Sequence, residues 1–367
     1  MSLFIDIHVL QTVPPSNLNR DDTNSPKTCT YGGVLRSRVS SQCWKRATRK
    51  DFGTYLDRSD LGVRTKQVFA LLAERIAQRG IPEDEATTLA GSTLKLLGLK
   101  TTAKRSRKGE EDAGVQSEYL VFLSNLQLDK LADLAVEHGK DLKAAEAKKA
   151  ADSAHSVDIA LFGRMVADSA DLNVEAAVQV AHALSTHQVS PEFDFYTAVD
   201  DENAEDETGA GMMGTIEFTS STLYRYATVD LARLESNLGD PEAAARATEA
   251  FVRSFVESMP TGKRTSFGNG TLPNAVVVQA RRRPINMSGA FEEPVVLDSG
   301  SGFVKGSADK LAQHAQELEV SFAGAPEKSW VTRAGDATEA LDALGARMPF
   351  DALVADLGQW LRERDGR

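Results

Sequence analysis

Residues 31–50 read YGGVLRSRVSSQCWKRATRK and carry six basic side chains but no acidic one. The glycine pair predicts a turn, and residues 34–39 predict a short strand. Ser40 or Ser41 can cap a helix that starts at about Gln42, because a serine hydroxyl accepts from the free N–H groups of the first turn. The stretch therefore predicts a strand that leads directly into a basic helix.

Two faces of this helix differ in chemistry. Gln42, Lys45 and Arg49 are spaced along one helical face, while Trp44 and Phe52 lie along another. The second face can pack against a core, and the first can meet a polyanion such as a phosphate backbone. The alternative is a basic helix that is merely solvated, as runs of like charge usually are.

The charge of this stretch runs against that of the whole chain. The 367 residues carry a formal net charge of −11, yet residues 1–58 hold nine basic and five acidic residues. Hydrophobic residues make up 41% and charged residues 26%, which is typical of a globular protein with a substantial core. We therefore expect polyanion binding in one basic groove and not over the whole surface.

Neither the first residues nor the cysteines suggest secretion. The apolar run at the start is interrupted by Asp6 and His8 and lacks a basic segment, and no stretch approaches the ~20 apolar residues that span a bilayer. Cys29 and Cys43 are too few for a disulfide framework. These features predict a cytoplasmic protein with reduced thiols and no membrane association.

The first half of the chain predicts one strand followed by a helical block. Residues 3–10 alternate as a strand with one face in a core, and Pro14 and Pro15 should end it. A mobile polar loop is expected at residues 101–114. The helices of the block are predicted at residues 63–79, 117–139 and 174–187, the last with Asn173 as its cap.

The second half predicts a hairpin and a strong helix. Residues 192–231 have strand-like ends and an acidic, glycine-rich middle, which predicts a hairpin with a flexible tip. Asp240 begins a helix, residues 274–280 form a short strand, and helices recur between residues 307 and 362. This order predicts an α+β fold, a small ferredoxin-like antiparallel sheet backed by helices, with the helical block inserted.

Several runs of the sequence are similar to one known family. They are FIDIHVLQTVPPSNLNRDD (4–22), RSRVSSQCWKRATRK (36–50), DIALFGRM (158–165), STHQVSPEFDFYTAVDD (185–201) and GTIEFTSSTLYRYATVDL (214–231). In order and spacing they resemble the backbone subunit, CasC-type and of the RAMP superfamily, of the type I-E CRISPR surveillance complex Cascade. The resemblance is strongest outside residues 64–154 and before residue 297.

This resemblance implies an RRM-like or ferredoxin-like palm with inserted helical fingers and a β-hairpin thumb. The implied boundaries are 1–60 for the first part of the palm, 61–183 for the fingers, 184–230 for the thumb hairpin and its return, and 231–367 for the remaining palm and C-terminal helices. The implied function is not enzymatic. Several copies would bind CRISPR RNA as a helical filament, kink it periodically and present its bases for pairing with target DNA in antiviral defence.

The family's RNA-binding positions match residues in the palm, the thumb and the fingers. Those that hold phosphates in the palm are Arg20, Ser40, Gln42, Lys45 and Arg49, with Arg46 and Lys50 as flanking support. Those that stack on or separate bases are Phe195, Tyr196 and Thr197, with Met165 and its neighbour Arg164. An ordinary strand core is the alternative for the two aromatic rings, although a ring can stack on any base.

The resemblance also implies partners. They are CRISPR RNA, target DNA, copies of the same chain, other Cascade subunits and a helicase-nuclease that the complex recruits. The fingers residues that match a lysine-rich, DNA-contacting helix are Lys140, Lys143, Lys148 and Lys149. No cofactor and no metal are expected, and the basic loop at 104–108 has no assigned role.

A catalytic alternative rests on Asp21 and Asp22 beside Arg20. Acids cut RNA in related backbone subunits of RNA-targeting CRISPR complexes, which would make this chain a metal-dependent endoribonuclease. Adjacent carboxylates do not readily converge on one ion without a further ligand. We therefore expect the two acids to orient Arg20 or to pair with a neighbouring subunit.

Overall fold

The computed structural model describes residues 2–103, 115–166, 168–198, 212–297 and 302–365. The chain divides into two compact units. The sheet unit comprises Met1–Asp51, Gln179–Val229 and Phe251–Arg364, and the helical unit comprises Phe52–Val178, Asp230–Ala250 and Asp365–Arg367. Over the described ranges, no helix has both the length and the apolar character that crossing a membrane requires.

Strands and helices both contribute extensively, which confirms the α+β class. The strands are β1 (Phe4–Ser16), β2 (Thr28–Tyr31), β3 (Val34–Val39), β4 (Gly62–Thr65), β5 (Thr101–Ala103), β6 (Val115–Ser117), β7 (Val121–Ser124), β8 (Val178–Val180), β9 (Ala183–Ser185), β10 (Glu192–Ala198), β11 (Met212–Asp230), β12 (Ala275–Arg281), β13 (Lys328–Arg333) and β14 (Ala346–Arg347). The helices are α1 (Ser41–Asp51), α2 (Val68–Ala77), α3 (Glu83–Leu96), α4 (Asn125–His138), α5 (Ala144–Ala151), α6 (Val157–Phe162), α7 (Leu231–Leu238), α8 (Pro241–Glu257), α9 (Arg264–Phe267), α10 (Phe303–Leu318) and α11 (Phe350–Asp365).

A ten-stranded sheet forms the centre of the sheet unit. Its order is β14-β13-β12-β1-β11-β9-β3-β2, and β8 and β10 also pair with β11. β1 and β12 are antiparallel, whereas β13 and β14 are parallel. The sheet is therefore larger than the small antiparallel one predicted, and it is mixed.

Both faces of β1 are buried, so the prediction of a single core face was wrong. Ile5 and Ile7 on one face are fully buried, and Asp6 and His8 on the other are at most 1% exposed. β1 lies between β12 and β11 in the interior of the sheet, which explains the burial.

The strand also continues through both prolines to Ser16, which corrects the predicted stop at Pro14. β12 pairs with β1 only as far as Leu10. On that side the prolines therefore interrupt no ladder of hydrogen bonds.

The alanine-rich segment predicted as a helix at residues 174–187 is extended instead. It forms β8 and β9, and β9 lies between β11 and β3. Helix propensity is a weak local preference that strand pairing outweighs here. The helix prediction was wrong, and Asn173 ends a short 3-10 turn at residues 170–172.

Helices predicted for the helical unit are confirmed in part. The segment 117–139 contains β7 and becomes helical only at α4. There the Ser124 hydroxyl accepts from Gln127 N at 2.9 Å, and Gln127 Oε1 accepts from Ser124 N at 3.0 Å. This reciprocal capping box fixes the start of α4. The core behind it includes the fully buried Leu72, Ile76 and Leu131.

The predicted glycine turn, the strand after it and the basic helix are confirmed. Gly32 and Gly33 have φ of 58° and 76°, and Tyr31 pairs with Val34, so the two glycines alone close the β2–β3 hairpin. Positive φ at both turn residues is the geometry that favours glycine. The helix that follows, α1, starts at Ser41, and the Ser40 carbonyl accepts from the backbone N–H of Cys43 and Trp44.

Other predicted elements also match. The hairpin is present as β10 and β11, the strong helix as α8 and the short strand as β12. The predicted mobile loop at 101–114 lies mostly outside the described residues, as do the basic stretch 104–108 and the acidic tip of the hairpin.

Candidate nucleic-acid interface

Helix α1 buries one face and exposes a basic one. Trp44 is fully buried against a cluster that contains Val13, Val39 and Leu223. On the opposite side Gln42, Arg46 and Lys50 are exposed, while Lys45 and Arg49 are half-buried. Burial lowers the pKa of Lys45. Since the first turn of α1 holds no acid, nothing on that turn offsets the basic face.

A buried arginine holds Trp44 in place. The Arg225 guanidinium lies 3.7 Å from the Trp44 ring centroid and 4.6 Å from that of Phe255, donates to Gln11 Oε1 at 2.5 Å and also donates to the Phe255 carbonyl. Burial lowers the pKa of Arg225 to about 9, which still leaves it charged at neutral pH. The buried face of the basic helix α1 therefore packs, through Trp44, against the buried cation Arg225.

The loop at 17–27 is tied to the start of α1. Asn19 Oδ1 accepts from Ser40 N at 2.9 Å, and the Asn19 carbonyl accepts from Lys27 N at 2.8 Å. The next residue, Arg20, is exposed, and its Nη1 lies 3.5 Å from Asn24 Oδ1. The fold therefore brings Arg20 and the first turn of α1 to the same place, although twenty residues separate them.

Asp21 is used inside this loop. Its Oδ1 accepts from Thr23 Oγ1 at 2.7 Å, from Thr23 N at 2.9 Å and from Ser25 N at 3.0 Å. These bonds, the Thr23 hydroxyl first, lower the pKa of Asp21. In the part of the chain that the structure describes, no group of three or more His, Cys, Asp or Glu residues is arranged to hold a metal ion.

The six basic residues of 31–50 do not share one role. Arg36 is fully buried and donates to the carbonyls of Tyr31, Ser185 and Phe291. Arg38, two positions on, is half-buried, and its Nη1 lies 3.3 Å from His182 Nδ1. Arg36 therefore supports the sheet, while Arg38 lies beside His182 near α1.

That neighbourhood was not predicted from the sequence. Burial first, then the charges of Arg38 and Lys27, lower the pKa of His182. Burial raises the pKa of the Cys43 thiol on α1, and the nearby charges of Lys27 and Arg46 partly oppose that rise. A cationic surface thus extends from α1 to Lys27 and Arg38. Arg36 and Arg38 are two positions apart on β3 and so share one face of the strand, and this pair of like charges on one face was the available signal.

The hairpin presents an apolar face. Phe195 pairs with Thr215 and Thr197 with Met213, so alternate residues Phe193, Phe195 and Thr197 share a face with Met213. Phe193 is 66%, Phe195 64% and Met213 66% exposed. The strand-core alternative therefore does not hold for Phe195. Phe193 and Met213 were not predicted, although the i, i+2 spacing of the two phenylalanines was the signal.

Tyr196 lies on the other face of the hairpin. It pairs with Gly214, and a Cβ added to Gly214 would meet the Tyr196 ring, at 2.7 Å from Cζ. The ring therefore covers the cross-strand glycine, an arrangement that stabilises a hairpin. Phe195 and Tyr196 consequently cannot face one base together.

In the helical unit, Met165 and Arg164 differ sharply. Met165 is 83% exposed, whereas the Arg164 guanidinium is buried and donates to the carbonyls of Leu172 (2.6 Å) and Ala151 (3.0 Å) and to Gln127 Oε1 (3.2 Å). Burial lowers the pKa of Arg164 to about 10. Arg164 is engaged inside its own unit, where it positions the segment that exposes Met165. A contact between Arg164 and RNA stays a prediction.

The fingers lysines are likewise not equivalent. Lys140, Lys143 and Lys149 are exposed, but Lys148 Nζ forms an ion pair with Asp171 Oδ2 at 2.6 Å. Lys148 is therefore partly neutralised within the helical unit.

Comparisons with known proteins agree with this architecture. Two structurally similar chains are each described as belonging to a CRISPR RNA-guided surveillance complex, the first in a pre-nicking state. The first is 35% identical with a TM-score of 0.85, covering 98% of this chain and 100% of its own, and the second is 31% identical with a TM-score of 0.73, covering 96% and 99%. No curated protein matches the chain. The model of the CT1975-like protein family matches residues 5–356, and the chain belongs to that family.

Proposed function

We propose that this chain is a non-catalytic backbone subunit of a type I-E CRISPR Cascade complex. Several copies would bind the CRISPR RNA along a filament and expose its bases for pairing with target DNA, with other subunits and a recruited helicase-nuclease as further partners. The two similar chains, over almost their whole length, support membership of such a complex.

One observation carries the RNA-binding part of the proposal. Within the sheet unit, the basic face of α1, the Arg20 loop and the hairpin lie at the same end of β1: Asn19 bonds to Ser40 N, and Asn17 Nδ2 donates to the Glu217 carbonyl of β11 at 3.0 Å. Cations for phosphates and exposed rings for bases are the two components of sequence-independent single-strand binding. We assign phosphate contacts to Arg20, Gln42, Lys45, Arg46, Arg49 and Lys50, and base contacts to Phe195 and Thr197.

The test is the double variant Lys45→Ala/Arg49→Ala. For single-stranded RNA, removing one cation that binds a phosphate should reduce the slope of log affinity against log salt by ~0.7. The matched control is Arg282→Ala/Arg283→Ala, which removes the same charge beyond Arg281, at the opposite end of β1 from the loop. Equal affinity and equal slope for both variants would mean that α1 faces solvent in the complex.

Catalysis is tested separately. The assembled complex is incubated with complementary RNA and Mg²⁺, and we expect the RNA to stay intact. Cleavage that Asp22→Ala abolishes would instead establish an endoribonuclease and overturn the non-catalytic assignment.

A further inference from the structure

We infer that residues 261–270, TGKRTSFGNG, form a further RNA-contact loop of the sheet unit, with Lys263 and Arg264 as ligands for the phosphodiester backbone. The inference rests on the proposed function and adds a second place where the protein holds RNA. Sequence reasoning did not find this loop, because it is more than 200 residues from α1 along the chain.

The first observation is a close backbone approach. A Cβ on Gly262 would lie 2.7 Å from the Asn17 carbonyl oxygen and closer still to that of Leu18. Only glycine permits this approach. Asn17 and Leu18 directly precede Asn19 and Arg20, so the loop docks on the segment that also holds the start of α1.

The second observation places the loop beside the hairpin. The Phe267 and Phe218 rings are 5.9 Å apart at 48°, and Phe218 pairs with Glu192 at the start of β10. Asn17, which the loop contacts, also donates to the Glu217 carbonyl. The loop therefore lies between the Arg20 segment and the hairpin, the two parts to which RNA contacts are assigned.

The third observation concerns Lys263 itself. Its backbone is left-handed, with φ 51° and ψ 21°, a conformation that is unfavourable for a non-glycine residue. Two backbone bonds maintain it, since the Lys263 carbonyl accepts from Ser266 N and Phe267 N, both at 3.1 Å. Such strain is concentrated at functional sites, where the surrounding structure enforces it.

The fourth observation is uncompensated charge. Arg264 is exposed and Lys263 half-exposed, and among the described carboxylates none forms an ion pair with either. By contrast, Arg281, Arg282 and Arg333 of the same unit each pair with an acid. Two adjacent cations without such ion pairs, on a loop that packs against the Asn17–Leu18 segment leading into Arg20, suit a phosphate backbone.

The test compares Lys263→Asn/Arg264→Gln with the control Arg282→Gln/Arg283→Gln in the full-length protein. Asparagine tolerates the left-handed backbone, so the variant removes charge while preserving the loop. Binding of a mixed-sequence single-stranded RNA is measured from 0.1 to 1 M salt. Removing two phosphate-binding cations should lower the salt slope by ~1.4, which makes binding roughly 25-fold weaker at 0.1 M and nearly equal at 1 M.

A second variant, Gly262→Ala, keeps both charges but forces the loop away from Asn17 and Leu18. It should also weaken binding at 0.1 M salt. An unchanged slope for Lys263→Asn/Arg264→Gln, while Lys45→Ala/Arg49→Ala still loses affinity, would refute this inference alone. Failure of both charge variants to weaken binding would refute the proposed function itself.

Discussion

His8 and Asp6 lie on the same buried face of β1 and titrate in opposite directions. Burial first, then the charge of Arg281, lowers the pKa of His8 from 6.5 to about 3. Burial raises the pKa of Asp6 from 3.8 to about 6, against hydrogen bonds from Thr228, Ile285 and Tyr226. Below pH 6.5 the unfolded chain takes up a proton at His8 that the folded chain does not, so the free energy of unfolding decreases as pH falls. Between pH 6 and 3.8 the folded chain takes up a proton at Asp6 that the unfolded chain does not, so the free energy of unfolding increases as pH falls. The two effects largely cancel between pH 6 and 4.

Replacing His8 should reveal this compensation. The variant His8→Asn lacks the titrating group, so its free energy of unfolding no longer decreases below pH 6.5 on that account. Relative to the native protein, its free energy of unfolding should increase by about 1.4 kcal/mol for each pH unit between pH 6 and 4.5. Urea unfolding followed by tryptophan fluorescence measures this, because Trp44, Trp330 and Trp360 all belong to the sheet unit. A difference in unfolding free energy that stays constant with pH would show that His8 is protonated in the folded state.

At the level of elements, the two faces of the β10–β11 hairpin have different roles. Tyr196 covers Gly214 on one face and so stabilises the pairing of β10 with β11. The other face exposes the apolar side chains of Phe193, Phe195 and Met213. Truncating these exposed side chains should have little effect on the stability of the fold. We therefore assign RNA contacts to the Phe195 face and stability of the hairpin to the Tyr196 face.

We expect Phe195→Ala to leave folding intact yet weaken the regular spacing of protein along RNA, because a stacking ring worth ~1–3 kcal/mol per base is removed. Ribonuclease footprinting on the bound RNA measures the spacing. Phe322→Ala is the matched control, since Phe322 is also an exposed phenylalanine of the sheet unit. An intact footprint period with Phe195→Ala, or a disrupted one with the control, would contradict the assignment.

For the molecule as a whole, the chain is acidic, yet the basic residues to which we assign RNA contacts lie at one end of the sheet. A formal charge of −11 disfavours non-specific polyanion binding, so the local surface has to provide the attraction. Assembly on RNA then follows if each copy binds a short stretch and neighbours repeat the contact.

This arrangement predicts particles whose size is set by RNA length. Native mass spectrometry of the protein assembled on RNAs of two lengths should give two copy numbers, and ribonuclease treatment should disperse the particles. A protein-only oligomer would instead keep one size throughout.

Local patterns accounted for much of the fold. The cap and spacing of 40–50, the alternation of 3–10 and the strand ends around the acidic tip correctly predicted that α1, a first strand and the β10–β11 hairpin exist, since each depends on residues close together in sequence. The end of β1 and the burial of its second face were not predicted, because its neighbours in the sheet determine them. The same patterns failed at 174–187, where alanines predicted a helix but pairing with β3 and β11 forms strands. Distant strands decide that outcome.

The sequence by itself determined that a strand is followed by a helix with basic and no acidic residues through Lys50, and that a hairpin with aromatic side chains follows later in the chain. Only the tertiary structure decided which basic residues stay available: Arg36, Arg164 and Arg225 are enclosed by carbonyl oxygens and rings, whereas Arg20, Lys263 and Arg264 are brought to the same end of the sheet. The physical reason is that the residue type alone determines the charge of a side chain, whereas its burial and its hydrogen-bond partners depend on residues that can be more than a hundred positions away.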